Sequence, residues 1–259
     1  LQNPIGIDSS QPRISWKSEI PLTLHPFEQI AYRIVASTSE KNLENNEYDL
    51  WDSGKVLSSQ QHLIHWQGKS LNAGDRVYWK VKIWGGEEKE SVWSGKAWFT
   101  IGPLEINDWQ GKWISYPYKN VDDKYTVVQY RKSFRLDSLP ETAIVHIATN
   151  GLHELKINGE KVDERILSPT VSSTKRLRYV SYNITPFLKA GENDFDLELV
   201  KSIRQAFNKE LDDKVNPYFQ LLLYADGIPL LWSDNSWNCR LGKRKINTPY
   251  QYEGWGGFG

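Results

Sequence analysis

The nine residues RVYWKVKIW, 76–84, alternate strictly. Val77, Trp79, Val81 and Ile83 fall on one face of an extended chain, and Tyr78, Lys80, Lys82 and Trp84 on the other. A helix needs its apolar stripe to recur about every 3.6 residues, so this segment predicts a strand. AYRIVAS (31–37) repeats the pattern, and RISWKS, LWDSGKV, HLIHWQ and KAWFTI are further strand candidates. Turn material such as NAGD and GGEEKE separates them. Nothing in the first hundred residues carries helical periodicity. Of the 12 tryptophans, nine precede residue 114, and large aromatics favour pleated, half-buried surfaces. Trp16, Trp51 and Trp79 are expected in a core rather than as exposed platforms. Six or seven short strands in this length predict a β-sandwich of immunoglobulin or fibronectin type III kind over residues 1–103.

The segment GPLEINDWQGKWISYPYKNVDDKY, 102–125, interrupts the rhythm with glycine, prolines and polar residues. It predicts a linker over 104–125, with Trp109 and Trp113 packing it onto a neighbour. Alternation resumes in VVQYRKSFRL, TAIVHIAT, LHELKING, LRYVSYNI, DFDLELV and YFQLLLYA, and INGE (157–160) sets Asn-Gly after a strand, a strong hairpin signal. Only KSIRQAFNKELDD, 201–213, has helical character, and it is short enough to be a loop insertion. Residues 126–259 therefore predict a second all-β sandwich that does not repeat the first. In the corner NITPFLKAGEN, 183–193, Ile184, Phe187 and Leu188 are expected to plug the sandwich edge while Gly191 and Asn193 turn the chain.

Several chemistries are disfavoured by composition and spacing. Lysine plus arginine number 32 against 32 for aspartate plus glutamate, which leaves no basic surplus for a nucleic-acid backbone or an anionic membrane. No apolar run approaches the roughly 20 residues of a membrane span, and LQNPIGIDSS lacks the basic region followed by an apolar stretch that marks a signal peptide, so any export signal is expected to have been removed. Cys239 is alone, which excludes an intrachain disulfide and the cysteine metal signatures. The five histidines lack zinc-protease spacing; His62 and His65 lie three apart on a candidate strand and face opposite ways. There is no G-x-S-x-G elbow and no phosphate-cradling loop. The chain contains no methionine and stops at GWGGFG, which suggests a piece of something longer.

LQNPIGID, QPRISW, AYRIVAS, WDSGKV, VYWKVKIW and FTIGPLEINDWQGKWI together resemble the N-terminal region of bacterial α-L-rhamnosidases. There a fibronectin-like domain precedes a sandwich of the galactose-binding jelly-roll kind. LHELKINGEKV, ILSP and LRYVSYNITPFLKAGEN resemble that second sandwich, so the similarity covers nearly the whole chain. The resemblance implies a parent protein that hydrolyses terminal α-L-rhamnose with inversion, using two carboxylates on a later (α/α)6 barrel. It implies that this chain lacks that barrel and is a scaffold, with carbohydrate binding as a second role. A rhamnose-containing glycan and the catalytic domain of the same polypeptide are the implied partners, in the periplasm or outside the cell. VDERILSP, 162–169, looks like an acid-arginine motif of the barrel, but its β-rich context makes it a solvated loop.

Sugar recognition needs carboxylates or amides on loops, with rings for the pyranose face. Asp163 and Glu164 follow the INGE hairpin, while Asp212, Asp213, Asn216 and Pro217 share a second loop. Tyr252 and Trp255 supply candidate rings. No cofactor is required; some relatives bridge such loops to rhamnose through calcium, which suits carboxylate oxygens. Where the family commonly carries a DGW-like stretch, VKSIRQ stands here. A protein-interaction or adhesion module built from two sandwiches is the alternative function.

Overall fold

The computed structural model describes residues 2–19, 28–86, 89–119, 126–165, 177–201 and 216–245. The chain divides into two compact units, residues 1–104 and 105–259.

In the first unit β1 (Arg13–Ile14), β2 (Ala31–Ser37), β3 (Trp51–Asp52), β4 (Val56–Leu57), β5 (Ile64–His65), β6 (Arg76–Trp84) and β7 (Ala97–Thr100) form two antiparallel sheets. One is the ribbon β1–β5; the other runs β3–β2–β6–β7, with β4 also pairing β2. Val77 and Val81 point into a core with Tyr32, Ile34, Trp16, Trp51 and Trp66, as alternation predicts. A five-residue helix, α1 (Glu40–Glu44), was not legible, because it is shorter than two turns; the Ser39 hydroxyl caps it by accepting from the Asn42 amide at 3.1 Å.

Two serines next to β6 replace part of a strand. The Ile83 and Val81 amides donate to the hydroxyls of Ser91 and Ser94, both at 3.1 Å. The Ser91 and Ser94 amides donate back to the Ile83 and Val81 carbonyls at 2.9 and 2.8 Å. Between them Trp93 projects among Arg33, Lys80 and Lys82, whose charged heads lie 6.0, 5.1 and 5.0 Å from its ring centroid. Arg33 is paired with Asp52, Lys80 with the Leu43 carbonyl and Lys82 with Glu90, so this cation–π stack is structural.

The second unit contains β8 (Ile114–Ser115), β9 (Thr126–Leu136), β10 (Ala143–Thr149), β11 (Leu152–Ile157), β12 (Glu160–Lys161), β13 (Tyr179–Asn183), β14 (Gly191–Val200), β15 (Tyr218–Ala225), β16 (Ile228–Trp232) and β17 (Asn238–Lys245). They make two five-stranded antiparallel sheets: β13–β10–β15–β16 with β8 also on β15, and β12–β11–β14–β9–β17. Val145, Ile147, Leu221 and Leu223 of the first face Leu155, Phe195, Leu197 and Leu199 of the second in one core. Each such side chain contributes about 1.5–3 kcal/mol of burial. The protein is thus all-β, with an immunoglobulin-like first sandwich and a second sandwich of two facing sheets.

Within the 104–125 segment, Trp109 packs edge-on against Tyr179 and Trp113 against Tyr218, both in the second unit. The segment also contributes strand β8, whose two residues are too few to alternate visibly. Asn158 and Gly159 have φ of 52° and 86°, so INGE forms the hairpin that joins β11 to β12. The corner after β13 is a 3-10 turn, Thr185–Phe187, that buries Ile184 and Leu188. Asn193 stitches it: its amide nitrogen donates to the Lys189 and Gly191 carbonyls at 2.7 and 3.0 Å, and its oxygen accepts from the Lys189 amide at 3.0 Å and Asn158 Nδ2 at 2.9 Å. The helical character expected over 201–213 lies, apart from Lys201, outside the described residues.

Candidate functional site

After β12 the chain turns back beside β11, with the Val162 amide donating to the Leu155 carbonyl at 3.1 Å. Asp163 then closes on its own neighbour. Its Oδ1 accepts from the Arg165 amide at 3.0 Å, its Oδ2 accepts from Arg165 Nε at 2.6 Å, and Arg165 Nη2 also pairs with it. The Arg165 guanidinium holds the Asp163 carboxyl below its usual range. Glu164 beside it is exposed.

This pair stands at a buried polar contact between the two sheets. His153 on β11 is 1% exposed, and its Nε2 lies 3.0 Å from the Tyr182 hydroxyl on β13. Burial, with a smaller contribution from nearby Arg165, pushes His153 down to about 4; burial pushes Tyr182 up to about 12. His153 is therefore a neutral cross-sheet strut.

Asn216 and Pro217 stand at the entry to β15. Asn150 accepts from the Tyr218 amide at 2.7 Å and donates to the Asn216 carbonyl at 3.3 Å, while Ser115 Oγ donates to the Pro217 carbonyl at 3.0 Å. Pro217 is buried against Gly151, and Asn216 reaches the Tyr116 carbonyl. These residues clamp the entry to β15. Among the described residues no hydrogen bond joins Asp163 or Glu164 to Asn216 or Pro217. Asp212, Asp213, Tyr252 and Trp255 lie outside the described residues.

The calcium expectation gains no cage here. Asp163 is already satisfied by Arg165, and among the described residues no group of three or more His, Cys, Asp or Glu side chains could hold a metal ion.

A feature that sequence alone did not single out is a cleft of about 360 Å³ on the outer face of the β12–β11–β14–β9–β17 sheet. Gln129, Arg131, Lys156, Asp196, Glu198 and Arg240 line it. Outward polar residues of a strand look like solvated positions; only the strand registers bring these six together.

Residues 1–105 match the family model described as the Rha78A-like N-terminal immunoglobulin domain, and residues 138–255 match the α-L-rhamnosidase N-terminal domain. Two α-L-rhamnosidases of Formosa agariphila are 35% and 34% identical over 77% and 96% of this chain, which covers 22% and 29% of their own lengths. The solved α-L-rhamnosidase of Dictyoglumus thermophilum superposes with a TM-score of 0.81 at 30% identity, over 96% of this chain and 29% of that one. The two sandwiches are therefore of the kind found together in glycoside hydrolases. The chain belongs to the α-L-rhamnosidase family and corresponds to its N-terminal region. It spans less than a third of the length of these relatives.

Proposed function

We propose that the chain is a non-catalytic scaffold of an α-L-rhamnosidase-type glycoside hydrolase, and that its second sandwich contacts saccharide through the loops around Asp163 and Asn216. The observation that carries the non-catalytic part is that the chain covers only 22% and 29% of the lengths of its α-L-rhamnosidase relatives, and the electrostatics agree with it. Hydrolysis of a glycosidic bond needs a carboxylic acid whose pKa is raised, opposite a second carboxylate. Every described carboxyl with a resolved shift, at Glu44, Asp52, Glu154, Asp163, Asp194 and Asp234, is shifted down by hydrogen bonds and cations. These groups are stable anions and poor proton donors near neutral pH.

The scaffold role draws support from an apolar edge. On β16, an edge strand, Ile228, Leu230 and Trp232 are all exposed, a surface suited to another domain of the same polypeptide. Rhamnose-containing glycan outside the cytoplasm is the ligand this role implies, with cell fractionation as the check on location.

An aryl α-L-rhamnoside assay of the purified chain tests the first half: no turnover is expected. Turnover abolished by Asp163→Asn or Glu164→Gln would overturn it. Calorimetry with L-rhamnose, with and without calcium, on wild type, Asp163→Ala and Asp212→Ala tests the second half. Binding that survives both substitutions removes the loops from the reading.

A further inference from the structure

We propose that the cleft on the outer face of the β12–β11–β14–β9–β17 sheet is a subsite for a neutral, hydroxyl-rich ring, separate from the loops at 162–165 and 216–217. The strand registers set its floor in two rows. Lys156, Asp196, Arg131 and Asn238 lie side by side across β11, β14, β9 and β17, and Glu154, Glu198, Gln129 and Arg240 form the next row.

The second row contains an arrangement that a merely solvated face would avoid. Glu154 and Glu198 are direct cross-strand neighbours, where like charges repel, yet they are only 4% and 8% exposed. Each is met by fixed partners. Lys161 and Lys156 lie 2.9 and 3.5 Å from Glu154. Gln129 Nε2 donates to Glu198 Oε1 at 3.0 Å, and Arg244 pairs with Glu198 Oε2. Arg240 Nε in turn donates to Gln129 Oε1 at 3.0 Å, and Arg131 spans Asp194 at 2.8 Å and Asp196 at 3.5 Å. The polar heads are thus oriented in advance, while each guanidinium, with five N–H donors, keeps some for a ligand.

The lining selects the ligand by charge. An anion would meet Asp196 and Glu198; a cation would meet Arg131, Lys156 and Arg240; an apolar ligand would strip water from all of them without replacing its hydrogen bonds. A neutral ring with several hydroxyls can donate to the carboxylates and accept from the guanidiniums at once. At roughly 30 Å³ per water the cleft holds about a dozen waters, the space of one or two sugar rings. Tyr130 turns its ring into the core against Phe219, so the site offers no aromatic platform from that residue and affinity is expected to be weak. The inference shares with the proposed function only the saccharide class of the ligand.

The test is an NMR titration of the isotope-labelled chain with L-rhamnose and, separately, with maltose. Shifts are expected at the side-chain amides of Gln129 and Asn238 and at the Arg131 and Arg240 Nε–H groups. Arg240→Ala and Asp196→Asn should each weaken them about tenfold, the loss of one charge-assisted hydrogen bond, with the circular dichroism of the fold unchanged. Shifts confined to 163–165 and 216–217 would overturn this subsite while supporting the loops. Shifts confined to the sheet would do the reverse. No shift at either place removes both, and sheet binding that survives both substitutions overturns the assigned contacts.

Discussion

A β-carbon on Gly151 would stand 2.4 Å from the Val200 carbonyl oxygen, and backbone cannot swing aside as a side chain can. Gly151→Ala is expected to destabilise the second unit by about 2 kcal/mol in urea denaturation. At Gly159 a β-carbon meets nothing within 4 Å, but φ is +86°, so Gly159→Ala should cost only about 1 kcal/mol of backbone strain. The second glycine was legible from its Asn-Gly pair; the first was not, because its constraint comes from a strand far along the chain. His146 and His153 show the same limit. Burial lowers them to about 3 and about 4 against the usual 6.5, a shift that no local sequence pattern signals. Both are neutral in the fold and charge on unfolding at mildly acidic pH. Their stabilisation is complete above about pH 6.5 and is lost as the pH falls towards about 4 for His153 and about 3 for His146, each removing about 1.4 kcal/mol per pH unit. Denaturation midpoints at successive pH values should show this slope, and His153→Asn should flatten it.

Among the elements, the long central strands could be read from alternation, and the structure explains which ones could not. β17, NCRLGKRK, is an edge strand with only Cys239 and Leu241 apolar. β16 contains Pro229, and its register against β15 shifts between Leu223 and Tyr224, which breaks the period of two. The corner at 183–193 was legible because Ile184, Phe187 and Leu188 had nowhere else to go. Its stitching by Asn193 fixes an expected cost: Asn193 is fully buried with four hydrogen bonds, so Asn193→Ala should destabilise by about 3 kcal/mol. Asn158→Ala should be less than additive with it, because the two side chains share a bond, and a double-mutant cycle reads this directly.

For the whole molecule, the separate cores of residues 1–104 and 105–259 lead to an expectation of two calorimetric unfolding steps, with either segment able to fold when expressed alone. A single cooperative transition with insoluble halves would contradict it. The candidate site was less legible than the fold. The pairing of Asp163 with Arg165 and the holding of the Asn216 and Pro217 carbonyls at the entry to β15 carry no signal in the sequence, because neither follows from alternation or turn pattern. The sheet-face residues stayed hidden because each alone looks like an ordinary surface charge. A chain that strings sandwiches together also runs a hazard that a lone domain does not: an open strand flank in one sandwich can template pairing with another while both are folding. Ser91 and Ser94 remove that hazard along β6. Their hydroxyls occupy the Val81 and Ile83 amides with a segment that is not itself a strand, so an incoming chain finds no ladder to extend.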